Sequence, residues 1–347
     1  MRAAVMRGKH LETDTLAEPE PGDGQVLVKT LACGICGSDL HALQHGDRMA
    51  AAAKEMGAPS TFDPEGDVVM GHEFCAEILD FGPNTLRTLK VGDRVCSMPV
   101  LFHPGGIAGI GYSNLFPGGY GERMVLSEPM LLRVSDDLPT EAAALTEPMA
   151  VGIHAVAKAK LEKNEAALVV GCGPVGLAVI AGLRLQGIEP IVAADFSVRR
   201  RELAKHMGAH VVLDPKQEAP FERLAKDAGA KQPVIFECVG VPGLIQQILR
   251  DAPHGSRVVV AGVCMEEDRI QPFMGISKEI QLQFVLGYTP EEFTHTLEAI
   301  TDGRIDGSPL ITGKVGVDGV PEAFEALGQP EAHAKVLVEP WREGGLE

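Results

Sequence analysis

The fold turns on Ala167-Leu168-Val169-Val170-Gly171-Cys172-Gly173-Pro174-Val175-Gly176-Leu177-Ala178-Val179-Ile180. An apolar run suited to a buried strand leads straight into Gly171-x-Gly173-x-x-Gly176, and apolar sequence then continues at helix length. Strand, turn and helix in that order give each glycine a task. Gly171 permits a tight turn, Gly173 lets the backbone approach a pyrophosphate, and Gly176 lets the helix pack closely on the strand. The helix N-terminus offers free N–H groups and partial positive charge to the phosphates. Pro174 fits the helix start, where a missing N–H costs little, and Val175 follows it in the first turn.

A glycine-rich turn alone is a weak signal, and its context strengthens it. A second apolar run, Ile188 to Ala194, ends in Asp195, 24 residues after Gly171. A carboxylate there suits the 2′-hydroxyl of an adenosine ribose and repels a 2′-phosphate, so the expected cofactor is NAD. Arg199-Arg200-Arg201 read most simply as a solvated helix face. Residues 166–183 are uncharged and long enough for a membrane span. Four glycines and a proline inside the run, with Arg184 directly after it, favour the strand–helix reading.

Outward from this stretch, 347 residues suggest two domains. A formal net charge of −17 argues against nucleic acid or an anionic membrane as partner. Seven cysteines spread from Cys33 to Cys264 form no secreted disulfide framework, and the N-terminal residues lack the apolar core of a signal peptide. The expected location is cytoplasmic.

Residues 1–134 alternate short strand-like runs with Gly/Pro turns, the pattern of a barrel-like β domain. Residues 42–69 read as a long connection, alanine-rich at 49–53 and rich in Pro, Asp and Gly at 59–67. Residues 103–121, glycine-rich and without Asp, Glu, Lys or Arg, read as a long loop. Glu141–Lys160 is helical in composition. Strand-like runs at 167–170, 189–194, 210–213, 234–238, 257–262 and 281–286 then alternate with helix-like ones, as a doubly wound parallel sheet requires. The expected division is 1–149 with 288–347 as the β domain and 150–287 as the α/β domain.

Cys36, His72 and Glu147 lie far apart, yet each sits near a strand or helix end beside a glycine or proline. Thiolate, imidazole and carboxylate suit zinc, and three protein ligands with an open position mark a catalytic site. Taken singly, a buried cysteine or a satisfied histidine is the commoner explanation. Cys33-x-x-Cys36 has no second C-x-x-C and no thioredoxin-like surroundings, which leaves Cys33 as a packed thiol.

Five motifs carry a resemblance over essentially the whole length: Gly34-Ile35-Cys36-Gly37-Ser38-Asp39-Leu40-His41, Gly71-His72-Glu73, Gly92-Asp93-Arg94-Val95, Glu147-Pro148-Met149-Ala150-Val151-Gly152-Ile153-His154 and the glycine turn at 171–176. With them the chain resembles the zinc-dependent medium-chain alcohol dehydrogenases, polyol dehydrogenases included. The resemblance implies an α/β protein with a chaperonin-10-like β-barrel catalytic domain, a Rossmann domain and an active site between them. It implies Cys36 and His72 as zinc ligands, then Glu73 and Glu147 about equally, with Asp39 orienting the ligands. It makes Ser38 and His41 a proton relay that passes the alcohol proton through the cofactor ribose to solvent. Without the resemblance, Ser38 and His41 read as local capping near a strand end.

In the cofactor half, the resemblance assigns Asp195 to the ribose and Arg200 to the basic residue near it. Val239, Ala261 and Val263 would line the adenine and nicotinamide pockets, and Lys335 would meet the pyrophosphate. Cys96 stands alone where many members carry four closely spaced cysteines, so the expectation is one catalytic zinc per chain and no structural zinc. The expected activity is hydride transfer between a secondary alcohol or polyol and NAD, by a homodimer or homotetramer. The alternatives are a primary-alcohol dehydrogenase and an NAD-binding regulator with an idle site.

Overall fold

The computed structural model describes residues 1–57, 60–229, 231–329 and 331–346. The chain forms two compact units: Met1–Glu147 with Leu297–Thr301 and Ile311–Glu347, and Pro148–Thr296 with Asp302–Leu310. The expected return to the first unit at 288 thus compares with 297 and 311 here.

The first unit opens with a hairpin of β1 (Arg2–Arg7) and β2 (His10–Thr15). Its central strand, β3 (Gln25–Gly34), runs into α1 (Gly37–Glu55). β4 (Glu73–Phe81), β5 (Arg94–Ser97), the hairpin β6 (Val100–His103) and β7 (Gly106–Gly109), β8 (Arg123–Ser127) and β9 (Leu131–Arg133) follow. Near the C-terminus come β16 (Ile311–Val315) and β17 (Lys335–Val338). Seven strands make one sheet, in the order β16-β17-β3-β4-β5-β9 with β8 also on β3. Val26, Val28, Ile78, Val95, Met124 and Val336 are fully buried in its core, the inward halves of period-2 strands.

Two expectations in this unit are corrected. Residues 42–55 are not a connection but most of α1, kinked at His45. Their alanines are strong helix formers and outweigh the lack of an apolar stripe. Residues 58 and 59 lie outside the described residues. The glycine-rich stretch 103–121 contains β7, and its Gly111 and Gly118 pack against other backbone. Gly118 touches Met70 and Gly71 so closely that a Cβ would stand 2.6 Å from their carbonyl oxygens.

Glu141–Lys160 divides into α2 (Thr140–Ala144) and α3 (Thr146–Ala159). The second unit then alternates as expected through β10 (Glu165–Val170), α4 (Pro174–Leu185), β11 (Ile191–Ala194), α5 (Val198–Met207), β12 (Val211–Leu213) and α6 (Pro220–Ala228). β13 (Gln232–Glu237), α7 (Leu244–Asp251), β14 (Arg257–Val260), α8 (Pro272–Ser277) and β15 (Gln281–Phe284) complete it. All six strands are parallel, in the order β12-β11-β10-β13-β14-β15. The order reverses between β10 and β13, and ligands of such sheets bind at the carboxyl ends there. The glycine turn leaves β10 at that point. Among the described residues, no helix is long and apolar enough to cross a membrane.

Candidate functional site

Cys36 is the N-cap of α1, and Asp39, three residues on, turns back to accept its N–H at 3.0 Å. The Cys36 thiol therefore sits at the positive end of the helix, which favours an anionic ligand atom. His72 and Glu73 enter β4, whose pairing with β3 sets Glu73 opposite Gly34. A side chain at Gly34 would place Cβ 2.1 Å from Glu73 Oε2. The ligand atoms of Cys36, His72 and Glu73 all lie within 4.8 Å of one another. Tetrahedral zinc with bonds of about 2.0–2.3 Å needs only slightly closer spacing.

Asp39 is fully buried and surrounded. The Tyr120 hydroxyl donates to Oδ2 at 2.6 Å beside the Cys36 N–H. The Tyr112 hydroxyl lies 3.0 Å from Oδ1, and His72 Nδ1 lies 3.4 Å from the same oxygen. Burial pushes the Asp39 carboxyl up, but His72, the two donors and their fields hold it below the usual carboxylate range. Burial likewise disfavours charge on His72, and Asp39 outweighs it, raising the imidazole well above its usual value. His72 Nδ1 makes no formed hydrogen bond. A small ring rotation would bring it onto Asp39 and present the other nitrogen to a metal, the usual support for a ligating histidine.

Lys335 departs from its expected place on a pyrophosphate. It is fully buried at the start of β17, and its ammonium donates to both oxygens of Glu73, at 2.8 and 2.7 Å, and to the Ile35 carbonyl at 3.0 Å. Burial opposes the charge, but Glu73 and then Cys36 raise the amine above the usual lysine value. A phosphate would reach this ammonium only by breaking the pair. Glu147 is buried in the first turn of α3 and is not in the three-ligand group.

Ser38 and His41 lie on α1 rather than at a strand end. Ser38 Oγ is 2.8 Å from the Tyr112 hydroxyl. His41 is half-buried, and burial, then the neighbouring His45, lowers its imidazole below the usual value, favouring the neutral ring. Cys33 is fully buried, and burial first, then Asp39 and Glu73, push its thiol up. It is an inert packed group.

In the second unit Gly171 has φ +92°, and a Cβ on Gly176 would stand 1.9 Å from the Gly171 carbonyl oxygen. Helix and strand therefore meet through bare backbone. A Cβ on Gly173 would meet only Arg200 Nη1, at 4.0 Å, so this face of the turn is open. Asp195 accepts the Cys172 N–H at 2.7 Å and the Ser197 N–H at 2.8 Å, tying the turn to the start of α5. The arginine run is not simply solvated: Arg201 donates to the Asp195 and Phe196 carbonyls, and Arg200 has a buried Nε without a partner. Val239 and Val263 are exposed and Ala261 half-buried, just beyond the ends of β13 and β14.

Tyr120 and Glu237 escape the reading from sequence, whereas Tyr112 stands there, with Phe62, Phe102 and Phe116, in segments open equally to the substrate cleft and to local packing. Tyr120 and Tyr112 reach Asp39 from the glycine-rich stretch, and for Tyr120 only its embedding among glycines hinted at packing there. Glu237 is buried at the end of β13, opposite Val170, and accepts the Val239 and Gly240 N–H groups at 2.7 and 2.8 Å. Its signal was a lone carboxylate closing an apolar strand.

Comparison with known proteins agrees with this architecture. Residues 22–136 match the model of the alcohol dehydrogenase GroES-like domain, and residues 174–302 that of the zinc-binding dehydrogenases. The chain is similar to an (R,R)-butanediol dehydrogenase of Bacillus subtilis, 31% identical over 96% of this chain and 97% of the relative. It is also similar to a sorbitol dehydrogenase of the same organism, at 29% identity over 99% and 98%. The solved structure of 2R,3R-butanediol dehydrogenase from Bacillus subtilis superposes with a TM-score of 0.83 at 29% identity, covering 98% of this chain and 99% of that one. A zinc-binding dehydrogenase structure from Sinorhizobium meliloti 1021, bound to NADP, gives 0.82 at 26% identity, covering 98% and 99%. The chain is an oxidoreductase and belongs to the zinc-dependent medium-chain alcohol dehydrogenase family.

Proposed function

We propose that the protein transfers hydride between a secondary alcohol or polyol, or the matching ketone, and NAD, with one catalytic zinc per chain. The grouping of Cys36, His72 and Glu73 above the satisfied carboxylate of Asp39 carries this reading. Cys36 and His72 would hold the ion. Glu73 is near enough to join them but is tied to Lys335. That leaves Glu147 as the other carboxylate for the third place. A zinc ion there would supply Lewis acidity toward the alcohol oxygen. Ser38 would accept the hydroxyl proton and His41, neutral at pH 7, would release it to solvent. The butanediol and sorbitol dehydrogenases among the relatives support a secondary alcohol.

NAD is favoured by Asp195, whose carboxylate ends β11 beside the open glycine turn. A second reading, NADP, draws on the unpartnered Arg200 Nε and on the NADP-bound Sinorhizobium relative. No structural zinc is expected, because Cys96 is buried and its thiol lies 3.2 Å from the Ala143 carbonyl. A homodimer or homotetramer is supported by β15, the last strand of the sheet, where Phe284 is exposed, with Leu286 exposed just after it and Phe273 and Ile276 exposed on α8. An apolar edge of this kind suits strand pairing with a second copy. The seven free cysteines suit a reducing, cytoplasmic location.

Zinc content and turnover with NAD and NADP on paired primary and secondary alcohols, for the unaltered protein and Cys36→Ser, test the proposal. One zinc per chain is expected, with secondary alcohols and NAD preferred and turnover falling more than about 100-fold in the variant. Full activity in Cys36→Ser would overturn the metal site, and preference for NADP would promote the second reading.

A further inference from the structure

Tyr112 stands beside the proposed reaction centre without a role in it. It follows Gly111, whose φ is +85° and whose Cβ, were there one, would sit 3.1 Å from the Gly71 backbone. The Gly119 N–H, farther along the same stretch, donates to the Gly71 carbonyl at 2.8 Å. The stretch carrying Tyr112 is thus fixed against the strand that delivers His72. The tyrosine ring lies 5.3 Å from the His72 ring and makes an edge contact with Phe62 at 6.1 Å.

Its hydroxyl oxygen is 2.8 Å from Ser38 Oγ and 3.0 Å from Asp39 Oδ1. A phenol carries one proton, and an ionised carboxylate can only accept. Both contacts are favourable in one arrangement alone: Tyr112 donates to Asp39, and Ser38 donates to Tyr112. In the reverse arrangement, with Tyr112 donating to Ser38, two oxygens without a proton between them would face each other at 3.0 Å. Tyr120 and the Cys36 N–H both donate to the other oxygen of Asp39, so every contact with a fixed direction at this side chain treats it as an acceptor.

We propose that Tyr112 is a positioning residue that turns the Ser38 O–H inward in the resting site and leaves a Ser38 lone pair to accept a hydrogen bond from a bound alcohol. This rests on the dehydrogenase reading above. The orientation discriminates between ligands. An alcohol donates an O–H to Ser38 and gains from it, whereas an aprotic oxygen ligand has no proton to give and gains nothing.

Binding of trifluoroethanol and of dimethyl sulfoxide to the zinc- and NAD-loaded protein, measured by calorimetry, tests this in Tyr112→Phe, which keeps the ring contacts. Trifluoroethanol should bind about five- to tenfold more weakly, the loss of one neutral hydrogen bond. Dimethyl sulfoxide should change less than about twofold, because it makes no such bond. In a Ser38→Ala background the tyrosine change should have no further effect. Equal weakening of both ligands, or of neither, would overturn the proposal. Neutron diffraction of the unaltered zinc-loaded protein provides a readout independent of variants and turnover. It should place the Tyr112 deuteron toward Asp39 and the Ser38 deuteron toward Tyr112, and a Tyr112 deuteron facing Ser38 would overturn the assignment. If the unaltered protein binds neither ligand while the deuterons lie as expected, the dehydrogenase reading fails and the hydrogen-bond assignment stands.

Discussion

The two candidate sites are built in opposite ways. In the second unit the dinucleotide turn is made of backbone: Gly171 and Gly176 touch through bare main chain, and the open side of Gly173 is defined by what is missing. In the first unit the candidate metal site is made of side chains, most of them buried and held by one another. Asp39 gathers Tyr112, Tyr120, His72 and the Cys36 N–H, and Glu73 is locked to Lys335. A backbone site fails when something is added. A side-chain site fails when something is removed, because the partner left behind is a buried charge.

Removing one ion from the tightest pair is the largest break. Lys335→Met strands the Glu73 carboxylate, 1% exposed, and should cost about 3–5 kcal/mol in urea unfolding. The double variant Lys335→Met, Glu73→Met should recover most of that loss, since two apolar groups can replace a buried pair. No recovery would mean that the two side chains matter for shape rather than charge.

Asp39→Asn keeps the shape and removes the charge under His72. Zinc affinity, read by competition with a chelator, should fall about 10- to 100-fold. A smaller change would show that the metal centre does not depend on the carboxylate beneath it.

The opposite kind of break is an added methyl. Gly176→Ala forces Cβ onto the Gly171 carbonyl oxygen, and overpacking of this kind costs about 1–3 kcal/mol. Because the turn must shift, NAD affinity should fall about 5- to 100-fold, while zinc content stays at the unaltered level. Loss of zinc together with NAD would show the two sites failing as one.

The smallest effect is expected at His41. A neutral imidazole accepts a proton and a charged one does not. Alcohol oxidation should therefore decline as pH falls through the His41 value, which burial and His45 hold below the usual one. His41→Gln should flatten that acid limb and slow oxidation about tenfold, since water can replace the last carrier of a relay at a half-buried position. An unchanged limb would assign it to another group.

The two sites also differed in how far they could be read in advance. The glycine turn, Asp195 and the alternation of strands and helices lie within one continuous stretch. Their roles follow from local spacing, and the strand order 3-2-1-4-5-6 of the parallel sheet agrees. The bounds of β10, β11 and β12 fall within two residues of the runs marked by hydrophobic pattern. By contrast residues 42–55, most of α1, read in sequence as part of a connection. The alanine run of α1 has no apolar stripe to announce a helix, and its start is capped by an aspartate reaching back to a cysteine, outside the common capping pairs.

The sequence by itself determined the doubly wound unit, the β-rich unit before it, the absence of four clustered cysteines and the residue types available for a metal. These depend on periodicity, glycine placement and composition, which act over a few residues at a time. Only the tertiary structure decided how the charges pair. Lys335 meets Glu73 across 262 residues, Tyr112 meets Ser38 across 74 and Tyr120 meets Asp39 across 81. Those meetings are set by the register of β17 and β4 on β3 and by glycine-rich backbone laid against Gly71. No local pattern encodes a register between distant strands, because it is fixed only when the whole core closes around it.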